Sequence, residues 1–187
     1  MNKNKIVFTF ATSEVNFIGQ IFIKITELLT GKLKLKKLYD EYLSENRPPE
    51  LFWDDAVDKL NFTLITNFQD GSYIPKKGKL IVIANHAFGV ADGVSICSAI
   101  SKVRQDYKMV THKVLRQADA VKDKILPIDF NENKEALLTN INTRKEAEKV
   151  LQNEGVLVLF PSGTIATKQN LKKNTKAHDG EWKQWVS

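Results

Sequence analysis

Only one cysteine, Cys97, occurs in 187 residues. That excludes an internal disulfide framework and a zinc site built on cysteines, and it leaves a reducing compartment, the cytoplasm, as the best fit. Long apolar runs are also lacking. The best candidate, Val15 to Leu29, is interrupted by Asn16, Gln20, Lys24 and Glu27, so no stretch reaches the roughly 18 residues that a membrane span needs. Lys3 and Lys5 precede a short apolar run, Ile6 to Ala11, but it falls short of a secretory core of roughly 7–15 residues and no clear cleavage site follows, so export is not expected. The chain has no phosphate loop ending in Gly-Lys-Ser or Gly-Lys-Thr and no Gly-x-Gly-x-x-Gly turn, which argues against a nucleotide-binding module. It also lacks the Gly-x-Ser-x-Gly elbow that exposes the nucleophile of many serine hydrolases.

What is present is enough for a folded core. Hydrophobic residues make up 42% of the sequence and charged residues 27%, a balance that excludes disorder as the main state. The length suits one domain. Lys and Arg outnumber Asp and Glu by 28 to 22, a net charge of +6, which favours anionic partners without choosing among them. Nucleic acid is not expected, because the lysines lack interleaved aromatics and no helix-turn-helix pattern is seen.

Phe17, Ile18, Ile21, Phe22, Ile25, Leu28 and Leu29 recur at spacings of three and four, which predicts an amphipathic helix. Gly31 stops it, and Lys32-Leu33-Lys34-Leu35-Lys36-Lys37 leads into a second helical stretch through Tyr39 and Tyr42. This pair is read either as a hairpin packed on the core with a solvated basic edge or as a helix lying in an anionic lipid interface, and the two are compatible. Arg47-Pro48-Pro49 marks a linker. The chain thus divides into an N-terminal amphipathic helical region, 1–50, and a domain over 51–187. In the latter, the pattern predicts a helix at 51–60 and strands at 61–68 and 79–84. A helix at 89–103, a strand at 107–111, a helix near 113–121 and a strand around 125–130 follow, then a helix from about 134 to 153 and a strand at 156–160. Strands alternating with helices imply an α/β fold with a mostly parallel sheet covered on both faces. A Lys-rich, flexible tail from about Lys168 ends in Trp182 and Trp185 with no later strand to bury them, so the sheet is expected to be incomplete at its C-terminal end.

Two segments carry chemistry. In Ile81-Val82-Ile83-Ala84-Asn85-His86-Ala87-Phe88-Gly89-Val90-Ala91-Asp92-Gly93, an apolar strand delivers Asn85 and His86 to its carboxyl end, where open α/β sheets build their sites. Asp92 falls in the first turn of the next helix, and Gly89 lets the loop fold tightly enough to bring carboxylate and imidazole together. Such a pair can remove a proton from an alcohol near neutral pH, the Asp fixing the tautomer and stabilising the imidazolium. On its own, a His followed by an Asp six residues later is a common accident of loop composition. In the second segment, Gly155 to Leu159 form an apolar strand ending in Phe160-Pro161-Ser162-Gly163-Thr164-Ile165, a turn whose amides and hydroxyls can hold an anionic or carbonyl oxygen. A serine hydrolase using Ser162, His86 and Asp92 is the competing enzyme reading. Cys97 is read as core packing, His112 as a helix-start residue and His178 as solvated.

In this order and separation the two segments resemble the glycerolipid acyltransferase family, which includes 1-acylglycerol-3-phosphate acyltransferases. The resemblance runs from about Asn61 to Thr167. It implies a general base at His86, an orienting Asp92, and substrate contacts from Asn85, Phe160, Pro161, Ser162, Gly163 and Thr164. In the loosely matching middle region, Lys113 and Arg116 are candidates for an anionic headgroup. The implied reaction moves a fatty acyl group from a thioester of coenzyme A or acyl carrier protein to a lysolipid hydroxyl, at the inner face of the cell membrane and with no resident cofactor or metal. Five residues separate His86 from Asp92 where four are commonest, a spacing found in a bacterial subgroup. Ser162 and Ile165 stand where the family has Glu and Arg, the Arg being the residue thought to hold the acceptor's phosphate. The fourth family motif, an apolar strand with proline, is missing. An inactive or fragmentary lipid-binding relative is the alternative that these departures leave.

Overall fold

The computed structural model describes residues 32–65 and 73–165. The helix expected at 17–29 and the tail from Lys168 lie outside the described residues.

Helix α1 spans Lys32–Ser44 and α2 spans Phe52–Lys59, joined through a single 3-10 turn at Pro49–Leu51. Among the described residues four strands follow, β1 (Leu80–Ile83), β2 (Tyr107–His112), β3 (Ile125–Ile128) and β4 (Val156–Leu159), with α3 (Val90–Ser101) between β1 and β2 and α4 (Lys134–Gln152) between β3 and β4. All pair in parallel in the order β1-β4-β2-β3, so the last strand inserts between the first two. Its Val156, Leu157, Val158 and Leu159 are all buried, as expected for a strand covered on both faces.

One face carries Tyr107, Met109, Val156 and Val158 and packs under α1, α2 and α3 through Tyr39, Tyr42, Trp53, Val94, Cys97 and Ile100. Trp53 Nε1 donates to the Tyr107 hydroxyl at 2.5 Å across that interface. The other face packs Val110, Leu126, Leu157 and Leu159 against Ala147 and Leu151 of α4. The second helical stretch therefore packs on the core through Tyr39 and Tyr42. Its lysines are partly neutralised along the helix, Lys36 pairing with Asp40 and Lys37 lying 3.8 Å from Glu41.

At the amino ends of the strands, buried Arg104 (4% exposed) ties three strand starts together. It donates to the carbonyls of Pro75, Gly78 and Glu154 and makes a two-pronged pair with Asp106.

Two expected elements differ. Residues 61–65 form no strand; the part of that strand at 66–68 lies outside the described residues. Helix α2 instead ends in a Schellman motif: Asn61 adopts φ 56°, its amide bonds to Asp58 O at 2.9 Å, and the Phe62 amide bonds to Val57 O at 3.0 Å. Phe62 and Leu64 keep their alternation, half-buried between exposed neighbours, but among the described residues no strand lies beside them. The helix expected near 113–121 is a 3-10 helix at Lys113–Gln117, capped by His112 Nδ1 accepting the Val114 amide and closed by the extended Ala118.

Candidate active site

The parallel register of β1 and β4 sets Ile83 opposite Leu159, and the ladder continues one step through Ala84 N donating to Leu159 O at 3.2 Å. The two motif-bearing loops therefore leave neighbouring strands at the same end of the sheet. His86 follows β1 and Phe160 follows β4, and their rings meet with centroids 4.4 Å apart and planes inclined by 32°.

The loop after His86 returns on Gly89, at φ 62° and ψ −116°, a combination that favours glycine. A Cβ there would also lie 3.3 Å from Ile165 Cγ2. The turn brings Asp92, in the first turn of α3 where the helix dipole favours a carboxylate, back over the loop. Asp92 Oδ2 accepts the Phe88 amide at 2.8 Å and lies 3.3 Å from His86 Nδ1. One carboxylate oxygen thus faces both groups. The side chains of His86 and Asp92 are 23% and 16% exposed. A separation of 3.3 Å is longer than a tight charge-assisted bond, in line with catalytic contacts that shorten when substrate closes a site. His86 Nδ1 and Asp92 Oδ2 are close but not aligned for a hydrogen bond; a small rotation that turns Nδ1–H onto the carboxylate leaves the lone pair on Nε2, and the arrangement can then act as a base toward a hydroxyl.

In the second motif the Gly163 amide donates to Phe160 O at 3.0 Å, closing the turn with Gly163 at φ 66°. Ser162 is 2% exposed and its hydroxyl donates to Thr164 O at 2.9 Å. A buried hydroxyl spent on a carbonyl is not the activated nucleophile that a serine hydrolase requires. Thr164 and Ile165 are exposed at the mouth of the turn.

The remaining candidates are spread. Asn85 is exposed next to His86. Lys113 Nζ bonds to Asp129 Oδ2 at 2.5 Å, and Asp129 is 4% exposed. Burial pushes the Asp129 carboxyl up, but the Lys113 ammonium and the Asn131 amide outweigh it and hold its pKa below the usual carboxylate range. Lys113 is therefore engaged in neutralising a buried charge. Arg116 lines a groove of about 360 Å³ with Lys108, Lys122, Asn142 and Glu146, and no residue of the His86 loop or the 160–165 turn shares it.

Sequence reasoning missed the wall beside the turn. Phe130, 52% exposed, stacks on His112 at 5.6 Å, and its Cε1 lies 3.8 Å from where a Gly163 Cβ would stand. An aromatic just past a strand's carboxyl end was the available signal. Burial lowers the His112 pKa. Among the described residues, no group of three His, Cys, Asp or Glu side chains is placed to hold a metal ion, and no helix is long and apolar enough to cross a membrane.

No curated protein and no solved structure matches the chain. The family model Acyltransferase matches residues 65–180, a span that takes in β1, the His86–Asp92 loop, all the later strands and the Phe160 turn. That is more than half of the sequence, and with the parallel sheet and the paired loops in place the chain belongs to the acyltransferase family.

Proposed function

We propose that the chain transfers a fatty acyl group from a thioester of coenzyme A or acyl carrier protein to the hydroxyl of a lysolipid, as a member of the subgroup with five residues between His and Asp. The observation that carries this reading is the placement of His86 Nδ1 3.3 Å from an Asp92 oxygen that is itself held by the Phe88 amide. His86 Nε2 takes the proton of the acceptor hydroxyl as its oxygen bonds to the thioester carbonyl carbon. The imidazolium is stabilised by Asp92. The tetrahedral oxyanion then collapses, the carbon–sulfur bond breaks, and the departing thiolate takes the proton from His86. Thr164, exposed at the mouth of the Phe160 turn, offers a hydroxyl as donor to the oxyanion.

The acceptor we favour carries no phosphate monoester, a lyso-aminolipid being one example. Ile165 lies against Gly89 at the site's mouth, and Lys113 is committed to Asp129. Among the described residues of the 160–165 turn and the His86 loop, a phosphate with close to two negative charges has no Lys or Arg as a charge-assisted partner. Association with an anionic membrane surface belongs to the same reading.

The test is an acyl-transfer assay with acyl-CoA and acyl carrier protein donors against a panel of lysolipids. Ester formation on a neutral or zwitterionic acceptor, with lysophosphatidic acid used poorly and improved by Ile165→Arg, is expected. Thioester cleavage with no ester product from any acceptor would overturn the transfer reading. Efficient use of lysophosphatidic acid that collapses on Lys113→Ala or Arg116→Ala would overturn the acceptor class.

A further inference from the structure

We infer that Phe160 is a positioning residue for the His86 imidazole and not a substrate contact; the inference rests on His86 being the base. A His side chain has two rotatable bonds, and a contact at one ring nitrogen leaves the ring free to swing about the line joining that nitrogen to its partner. Asp92 supplies the contact at Nδ1, 3.3 Å away. Phe160 supplies what is missing, a surface against the flat of the ring, with centroids 4.4 Å apart and planes inclined by 32°. One restraint holds an atom and the other holds the plane, and together they fix the direction of the Nε2 lone pair.

The mounting of Phe160 suits this role. It follows directly on β4, whose four side chains are all buried, and its carbonyl is held by the Gly163 amide at 3.0 Å. His86 itself stands in a loop of mostly exposed residues that turns on Gly89. The ring of a strand-anchored residue therefore transmits the rigidity of the sheet to a base on a loop, which is what precise proton transfer needs, since a misplacement of about 1 Å can cost on the order of 100-fold in rate.

The test compares Phe160→Leu, which keeps apolar bulk but removes the aromatic face, with Phe160→Tyr, which keeps it. The chain has three histidines, so the His86 ring protons can be assigned by proton NMR with single His→Gln variants of the full chain. The Phe160 ring current should displace these resonances in the wild type and in Phe160→Tyr, and the displacement should vanish in Phe160→Leu. In steady-state kinetics Phe160→Leu should lower kcat by about 10- to 100-fold, leave KM for donor and acceptor unchanged, and be rescued in Phe160→Tyr. Should Phe160→Leu fail to fold, Phe160→Met serves the same comparison. An unchanged His86 spectrum with a raised KM would overturn the inference and return Phe160 to substrate binding. A wild-type ring-current displacement in a chain that forms no ester with any acceptor would refute the acyl-transfer reading while sustaining the contact.

Discussion

Replacing Asp92 by Asn removes one charge while keeping the shape of the side chain. Because a single oxygen, Oδ2, accepts the Phe88 amide and lies 3.3 Å from His86 Nδ1, an amide oxygen in its place can keep the Phe88 bond and the same place beside the imidazole. Loop and tautomer then survive, and what is lost is the attraction between carboxylate and imidazolium. At 3.3 Å and an effective dielectric of about 20, that attraction is about 5 kcal/mol. If the imidazole is about half protonated in the transition state, about 2–3 kcal/mol is lost, a factor of about 30–160 in kcat. The assay is steady-state ester formation by Asp92→Asn, with its unfolding midpoint measured in parallel. A rate within about twofold of wild type would refute the coupling of Asp92 to His86. A loss near 10⁴-fold, the size seen when a triad histidine is held in the wrong tautomer, would refute the argument that one oxygen serves both donors.

Further outcomes follow from other contacts. Gly89→Ala should cost about 1–3 kcal/mol in urea unfolding, because φ 62° and ψ −116° strain any side chain and the new Cβ would press on Ile165; an unchanged midpoint would show that the loop relaxes freely. Arg104→Ala should cost about 1–3 kcal/mol, since it leaves the carbonyls of Pro75, Gly78 and Glu154 without their shared donor, Asp106 being half exposed and solvated, and Arg104→Lys should recover little of it because an ammonium cannot span the same fork. His112 is held neutral by burial, its pKa below the ordinary value. As pH falls below about 6.5 the unfolded chain takes up this proton before the folded one, so folding stability declines there and is unaffected above it. His112→Gln should flatten that part of the stability–pH curve, and identical curves for the two proteins would contradict the assignment.

The elements legible in the sequence were those whose pattern is local. The apolar runs at 79–84 and 156–160 became β1 and β4, and the helix expected from about 134 to 153 became Lys134–Gln152. The approach of Asp92 to His86 was legible only in part: the glycine between them allows the tight return, but the spacing alone is common, and it was the resemblance to a family that singled the pair out. Alternation misled at 61–65, where Phe62 and Leu64 are half-buried with no neighbouring strand among the described residues and Asn61 ends the helix in a left-handed turn. The insertion of β4 between β1 and β2 was not legible, because strand order is set by long-range packing on both faces of the sheet. The contacts that depend on it were hidden too: Phe160 against His86 requires the register of β1 with β4, and Lys113 against Asp129 requires β2 beside β3. A lone Lys-Val-Leu-Arg stretch reads as available cations until the buried carboxylate is seen.

The most direct test of the central claim is acyl transfer by the purified chain and by His86→Ala, followed as ester product formed from an acyl thioester and a lysolipid. Loss of the general base should lower kcat by about 100- to 10,000-fold while the unfolding midpoint stays close to wild type, since the His86 side chain is 23% exposed and stands in a loop. Turnover near wild type in His86→Ala would contradict the account.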